Sequence, residues 1–300
     1  MITNETFSNL LPTVEDRVAR RLAEQIGDCL NQVGLLFRRF HRAKSIYSLN
    51  NKIGSNPEKY TPAGKKIQDP YGVRIAVYFS DDVGIVRKIL TQLYGSPLDI
   101  SEDLHDSKTF APTRLNLVFR LPDTISNDGR LHHHQLVDDT FEVQVRSVLS
   151  EGWHEVEHDL RYKCSEDWEP HNDLLRALNG ILATLETCDW SLIKLFDDAA
   201  YRHYKDRNWL AMIRTKFRIR LKDKPLSPQM TRLLTENDCL RGKKLFRESR
   251  APLLSKLAGT AIKLPLTPEN VIHLINALYW HDPAIDALAN NIVKQQLENL

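Results

Sequence analysis
No apolar run in this chain approaches the 18 or more residues that a membrane-spanning helix needs. Met1 to Leu11 holds Glu5 and no basic stretch, so no secretory leader is expected and the cytoplasm is the expected compartment. The four cysteines (Cys29, Cys164, Cys188, Cys239) form no C-x-x-C pair. That argues against a disulfide framework or a cysteine zinc site, and for free thiols in a reducing cytosol. No internal repeat is convincing enough to imply a solenoid. Net charge is nearly absent, +2 over 300 residues. It is unevenly placed, however. From Arg207 to Lys263 there are 15 Lys and Arg against 4 Asp and Glu, a local +11, which leaves −9 for the rest. This asymmetry suits an anionic partner such as RNA for the later region, or simply solvated basic helix faces.

A composition of 42% hydrophobic and 27% charged residues is that of an ordinary globular protein of one or two domains. Val14, Val18, Leu22, Ile26, Leu30, Val33 and Phe37 recur every three or four residues, predicting an amphipathic helix from about Val14 to Phe40 after a Thr13 cap. A second helical stretch is expected to Ile53, broken by Gly54-Ser55-Asn56-Pro57. Strands are expected at 73–79, 114–121, 131–137 and 140–146, with a loop tip at Asn127-Asp128-Gly129. Helices are expected from Ser80-Asp81-Asp82 to Gly95, from Val148 to Tyr162, and from Asn172 to Asp198. Ser227-Pro228, Thr267-Pro268 and Asp282-Pro283 each place a capping residue before proline at a helix start. The fold class is therefore α+β: a mixed sheet flanked by helices, then an all-helical C-terminal region. The expected division is 1–169, a linking or packing helix at 170–205, and 206–300.

Residues 141–163 hold two rival signatures. His154-Glu155-Val156-Glu157-His158 matches the H-E-x-x-H pattern of zinc proteases. Just before it, Glu142, Gln144 and Arg146 alternate with Phe141, Val143 and Val145, giving a strand with one polar face. A zinc protease needs a third ligand and an edge strand for its substrate, and the pattern supplies neither. Upstream, Lys44, Ser48 and Lys52 fall at i, i+4 and i+8, one face of a helix. Two ammonium groups flanking a hydroxyl suit a polyphosphate. Asp69 at the mouth of one strand and Glu142 on another suit magnesium, which prefers few carboxylates plus substrate phosphates. The His132-His133-His134 run and the His105-Asp106, His158-Asp159 and His281-Asp282 pairs read as loop or isolated residues.

The series Arg42-x-Lys44-x3-Ser48-x3-Lys52, Asp69-x4-Arg74 and Glu142-x-Gln144-x-Arg146 resembles the synthetase domain of the RelA/SpoT family over roughly residues 35–163. The resemblance implies a nucleotidyltransferase-like sheet and transfer of the β,γ-pyrophosphate of ATP to the 3′-hydroxyl of an acceptor nucleotide, releasing AMP. It implies that Arg42 and Arg74 hold the adenine, that Lys44, Ser48 and Lys52 bind the ATP phosphates, and that Asp69 and Glu142 hold magnesium. Glu142 would also take the proton of the attacking hydroxyl, with Gln144 and Arg146 supporting acceptor or metal. His154 and His158 would support the Glu142 strand. About 40 residues precede Arg42, too few for the family's hydrolase module. The family's Gly-Tyr-x-Ser-x-His segment is replaced here by Thr109-Phe110-Ala111-Pro112-Thr113-Arg114-Leu115-Asn116, so Arg114 and Asn116 stand where Tyr and Ser would be. GDP or GTP is the default acceptor, with an adenine nucleotide or a tRNA 3′ end as alternatives. A growth-arresting toxin, a non-catalytic nucleotide or RNA sensor, and a homo-oligomer or regulatory partner for the C-terminal region are further expectations.

Overall fold
A computed structural model describes residues 14–102, 110, 113–126, 134–260, 262–298 and 300. Thr13, His105-Asp106, Asn127-Asp128-Gly129, His132-His133 and most of the 109–112 segment lie outside the described residues.

Two compact units share the chain. The first gathers residues 1–28, 37–77 and 90–186; the second gathers 29–36, 78–89 and 187–300. The first unit holds a five-stranded sheet of β1 (Phe37–Ala43), β2 (Tyr71–Val77), β3 (Asp99–Glu102), β4 (Arg114–Arg120) and β5 (Thr140–Ser147). Their spatial order is β1-β2-β5-β4-β3. Only β2 and β5 are parallel; the other three pairings are antiparallel.

Alternation sorts side chains to two faces. On one face the register aligns Tyr71, Phe141 and Phe119, then Val73, Val143 and Leu117, then Ile75, Val145 and Leu115. All nine are at most 1% exposed. Helix α1 (Val14–Gln32) meets this face, where the Tyr71 hydroxyl donates to Glu15 at 2.5 Å. Tyr94 closes helix α3 (Asp82–Tyr94) and packs edge-on against Phe141 at 5.0 Å.

The structure shortens the first predicted helix. It ends at Gln32, because Gly34 takes φ +77° and its N–H and that of Leu35 return to Asn31 and Leu30. The apolar period that ran on to Phe37 belongs to strand β1. Helix α2 (Ile46–Gly54) then begins at a Ser45 cap, so Lys44 stands just before the helix rather than on it. The predicted strand at 131–137 is reduced to one bridge, Val137 to Ile67, within its described part. Strand β3 was not expected. Its four residues are all exposed and show no apolar alternation.

Helix α4 (Val148–Val156) follows β5 and gives way to a wider π turn over Glu157–Arg161. Helix α5 (Asn172–Lys205) contributes to both units. The second unit continues with α6 (Trp209–Phe217), α7 (Pro228–Arg247), α8 (Arg250–Ala258), α9 (Pro268–Ile275) and α10 (Asn291–Leu297). Ser227, Thr267 and Asp282 each accept a backbone N–H at a helix start with proline following, as the sequence predicts. Within α7, Asn237, Asp238 and Cys239 all take left-handed backbone angles, which breaks the helix in two.

Candidate active site
The other face of the sheet carries the chemistry in three rows. Arg42, Gly72 and Glu142 face one another across β1, β2 and β5. Phe40, Arg74, Gln144 and Asn116 make the next row, and Ala76, Arg146 and Arg114 the third. Rows are two residues apart, about 6–7 Å along the strands. A pocket of about 280 Å³ opens over the first two rows, lined by Phe40, Arg42, Asp69, Arg74, Glu142 and Gln144, with Glu151 and Glu155 of α4 at its side.

The Lys44 N–H donates to the Pro70 carbonyl, which sets its side chain beside Asp69. The Lys44 and Lys52 ammonium groups reach the two Asp69 carboxylate oxygens at 2.5 and 3.0 Å. Burial alone would raise the Asp69 carboxyl, but both lysines more than offset it and hold it below the usual carboxylate range. Burial lowers Lys44 despite Asp69, whereas at the more exposed Lys52 burial also lowers the ammonium but Asp69, by charge and hydrogen bond, outweighs it and raises it. Ser48 is exposed and its N–H and hydroxyl engage the Ser45 cap.

A hydrogen-bond chain fixes the rest of the pocket floor. The Gln144 amide donates to Glu142 at 2.8 Å and accepts from Arg74 Nε at 3.2 Å. Arg74 Nη1 also binds Glu151 at 2.6 Å and Glu155. Arg146 lies behind, 3% exposed, with Glu151 at 3.7 Å. Burial, with Arg74 and Arg114 nearby, lowers its guanidinium to about 10, still charged at neutral pH. Glu151 is itself only 8% exposed and is shared by the two converging guanidiniums, with Glu155 as a second carboxylate on Arg74.

Sequence reasoning passed over Glu151, Glu155 and Phe40. The signal for the acids was there: an i, i+4 carboxylate pair following a polar-faced strand with two arginines to neutralise. Phe40, 51% exposed, was absorbed into the overlong first helix. Arg114 and Asn116 lie opposite Arg146 and Gln144 on β4 and are not among the residues lining the pocket. The His154 and His158 rings lie tilted with centroids 5.3 Å apart, and His158 contacts Asp159 at 2.9 Å. Burial, then Arg146 and Arg74, push His154 down to about 4.

Magnesium fits the donor set. Asp69 and Glu142 are hard oxygen donors in the wall of one pocket, and no group of three or more His, Cys, Asp and Glu side chains arranged for a metal occurs among the described residues. Two carboxylates completed by phosphate oxygens is the arrangement that ion prefers.

A mixed sheet whose polar face joins acids, lysines and forked arginines around a pocket defines a site for a phosphorylated ligand. Residues 41–167 match the family model described as a region found in RelA / SpoT proteins. Among solved structures the chain is similar to a GTP pyrophosphokinase family protein from Streptococcus pneumoniae (19% identity, 66% of this chain, 95% of that one, TM-score 0.46). It is also similar to the small alarmone synthetase 2 from Bacillus subtilis (20% identity, 61% and 94%, TM-score 0.48). A third is the small alarmone synthetase 1 from Bacillus subtilis bound to its product pppGpp (17% identity, 64% and 97%, TM-score 0.41). Among curated proteins none matches. No helix among the described residues is long and apolar enough to cross a membrane.

Proposed function
We propose that the chain is a nucleotide pyrophosphokinase acting in the cytoplasm. The single observation that carries this reading is the joint placement of Asp69, Glu142, Arg42 and Arg74 around one pocket, with Lys44 and Lys52 on Asp69. The family match over residues 41–167 supports it. In this reading Arg42 and Arg74 hold the adenine of ATP between planar guanidiniums. Lys44 and Lys52 turn from Asp69 to the β,γ-phosphates, while Ser48 lies one helical turn before Lys52. Asp69 and Glu142 would hold magnesium, which would supply neutralisation of the phosphate charge. Glu142 takes the proton of the acceptor's 3′-hydroxyl. The 3′-oxygen bonds to the β-phosphorus, the bond from that phosphorus to the α,β-bridging oxygen breaks, and AMP leaves. Gln144 keeps Glu142 aimed, because its amide is itself fixed by Arg74.

GDP or GTP is the proposed acceptor, read by Arg114 and Asn116. An adenine nucleotide or a tRNA 3′ end would use the same chemistry, the latter as a growth-arresting toxin drawing RNA through the basic 207–263 stretch. The test is ATP labelled in its γ-phosphate, magnesium, and a panel of GDP, GTP, ADP, ATP and tRNA. Label in an acceptor with matching AMP is the expected result. Tight ATP binding with no AMP from any acceptor would instead identify a nucleotide sensor and end the enzymatic reading.

A further inference from the structure
We propose that the second unit holds a separate binding site for a small phosphate-bearing ligand with an apolar or planar part, such as a nucleotide. The site is a concavity of about 830 Å³, formed by Asn31 and Gln32, residues 220–222, Thr260 and residues 262–266. It is larger than the 280 Å³ pocket over the sheet and shares no residue with it.

Its walls are tied together. Arg220 N–H donates to Gly34 at 2.7 Å and Lys222 N–H to Leu266 at 2.8 Å. The Gln32 amide donates to the Thr260 carbonyl at 2.8 Å, and Gln296 accepts the Lys263 N–H at 3.0 Å. Three separate segments therefore hold one shape without a ligand.

Charge gives the specificity. Arg220 and Lys222 both line the concavity from one segment, two residues apart. Lys263 joins them from another segment. Among the described residues no acid lines the concavity. Among the described residues none of the three forms an ion pair, and the Arg220 guanidinium meets only the neutral Asn31 amide, at 3.4 Å. Asp223, the nearest acid in sequence, is drawn to Arg214 at 2.5 Å. By contrast, Arg214, Arg218, Arg241 and Arg250 of the same unit each hold a carboxylate. Three cations gathered without a counter-charge repel one another until an anion arrives. Leu221, Ile262, Leu264 and Leu266 add apolar surface to the same walls. Phosphate answers the cations and a planar base answers the leucines, which is why a nucleotide fits better than inorganic phosphate.

The experiment is calorimetric titration of the full chain with ADP and, separately, with inorganic tripolyphosphate and a short single-stranded RNA. It needs no turnover, so its outcome is independent of the proposed transfer reaction. Lys222→Glu/Lys263→Glu and the gentler Lys222→Gln/Lys263→Gln remove the cations from exposed positions, with thermal melting as the check on folding. Lys44→Ala/Lys52→Ala, in parallel, removes ADP binding at the sheet pocket. The expected result is an ADP site that survives Lys44→Ala/Lys52→Ala and weakens about tenfold or more in the Lys222/Lys263 variants, a loss of roughly 1.4 kcal/mol. Tripolyphosphate binding more weakly than ADP supports the apolar contribution. An ADP stoichiometry and affinity unchanged by both Lys222/Lys263 variants overturns the proposal. So does RNA binding that depends on these lysines when ADP and tripolyphosphate do not bind there.

Discussion

Two aspartates, one in each unit, are flanked by cations and titrate in opposite directions. Asp69 meets Lys44 and Lys52 at the pocket edge, its side chain 24% exposed, and its carboxyl is held low. Asp82 opens α3 at 0% exposure beside Arg250, and burial raises its carboxyl against the pull of that arginine. Arg250 is committed elsewhere too, donating to the Phe217 carbonyl at 2.5 Å and to that of Arg218 at 3.3 Å. Arg218 caps α6 in a left-handed conformation and binds Asp81 at 2.5 Å. Among the described residues the Lys44 and Lys52 ammonium groups bond to Asp69 and to no backbone carbonyl. An acid–base contact reachable from solvent can be exchanged for a ligand's phosphates; one locked into carbonyls and a helix cap cannot. Proximity of opposite charges thus says little about role until exposure and the partners' other bonds are known.

The comparison can be broken by mutation. The largest effect belongs to Glu142→Gln, which should lower pyrophosphate transfer by about 10²–10⁴-fold with little change in thermal unfolding. Labelled-ATP kinetics beside a melting curve would show it. Arg250→Ala should cost about 3–5 kcal/mol in urea unfolding, since it strands a buried carboxylate, and Asp82→Leu/Arg250→Met should recover most of that. Lys52→Ala should cost under about 1 kcal/mol in the same assay while weakening ATP binding. If Lys52→Ala destabilised as much as Arg250→Ala, the distinction between the two aspartates would collapse. Glu151→Gln frees Arg74 and Arg146 of their shared buried partner. A rise of about tenfold in KM for ATP, larger than the fall in kcat, is expected, with Glu151→Asp partly restoring it. The smallest effect is pH-linked. His154 falls from 6.5 to about 4 on folding, so the unfolded chain binds the extra proton between those values. Stability is therefore lost as pH falls through that window, and His154→Gln should flatten the loss in unfolding curves.

Much of this was legible in the sequence where the signal is local. The strict alternation of β2, β4 and β5 places Arg74, Glu142 and Gln144 on one face before any coordinates are seen. The three proline-marked helix starts needed only their capping side chains. Strand β1 was hidden because apolar residues kept a helical period through Gly34, where a single positive φ turns the chain. Strand β3 is too short and too exposed to leave a pattern. The i, i+4 spacing of Glu151 and Glu155 marks a carboxylate pair but not its partner, because Arg74 is 77 and 81 residues away. Arg146 shares the alternation of Glu142, yet α4 covers it, and a two-faced strand pattern cannot report what a later helix will cover.

The order of the strands has a consequence for how such a protein can diversify. Strand β4 carries Arg114 and Asn116, pairs with β5 on one side, and on the other has only the four exposed residues of β3. Arg114 and Asn116 can be exchanged one at a time while Arg74 and Glu142 keep their hydrogen bonds to Gln144 and Glu151 and Asp69 keeps its two lysines. A single-residue insertion in β5 would instead invert every side chain after it. The sheet therefore separates what must stay constant from what can vary. In the proposed reading, point changes on this one strand near the edge would alter the acceptor without reopening the chemistry at the centre.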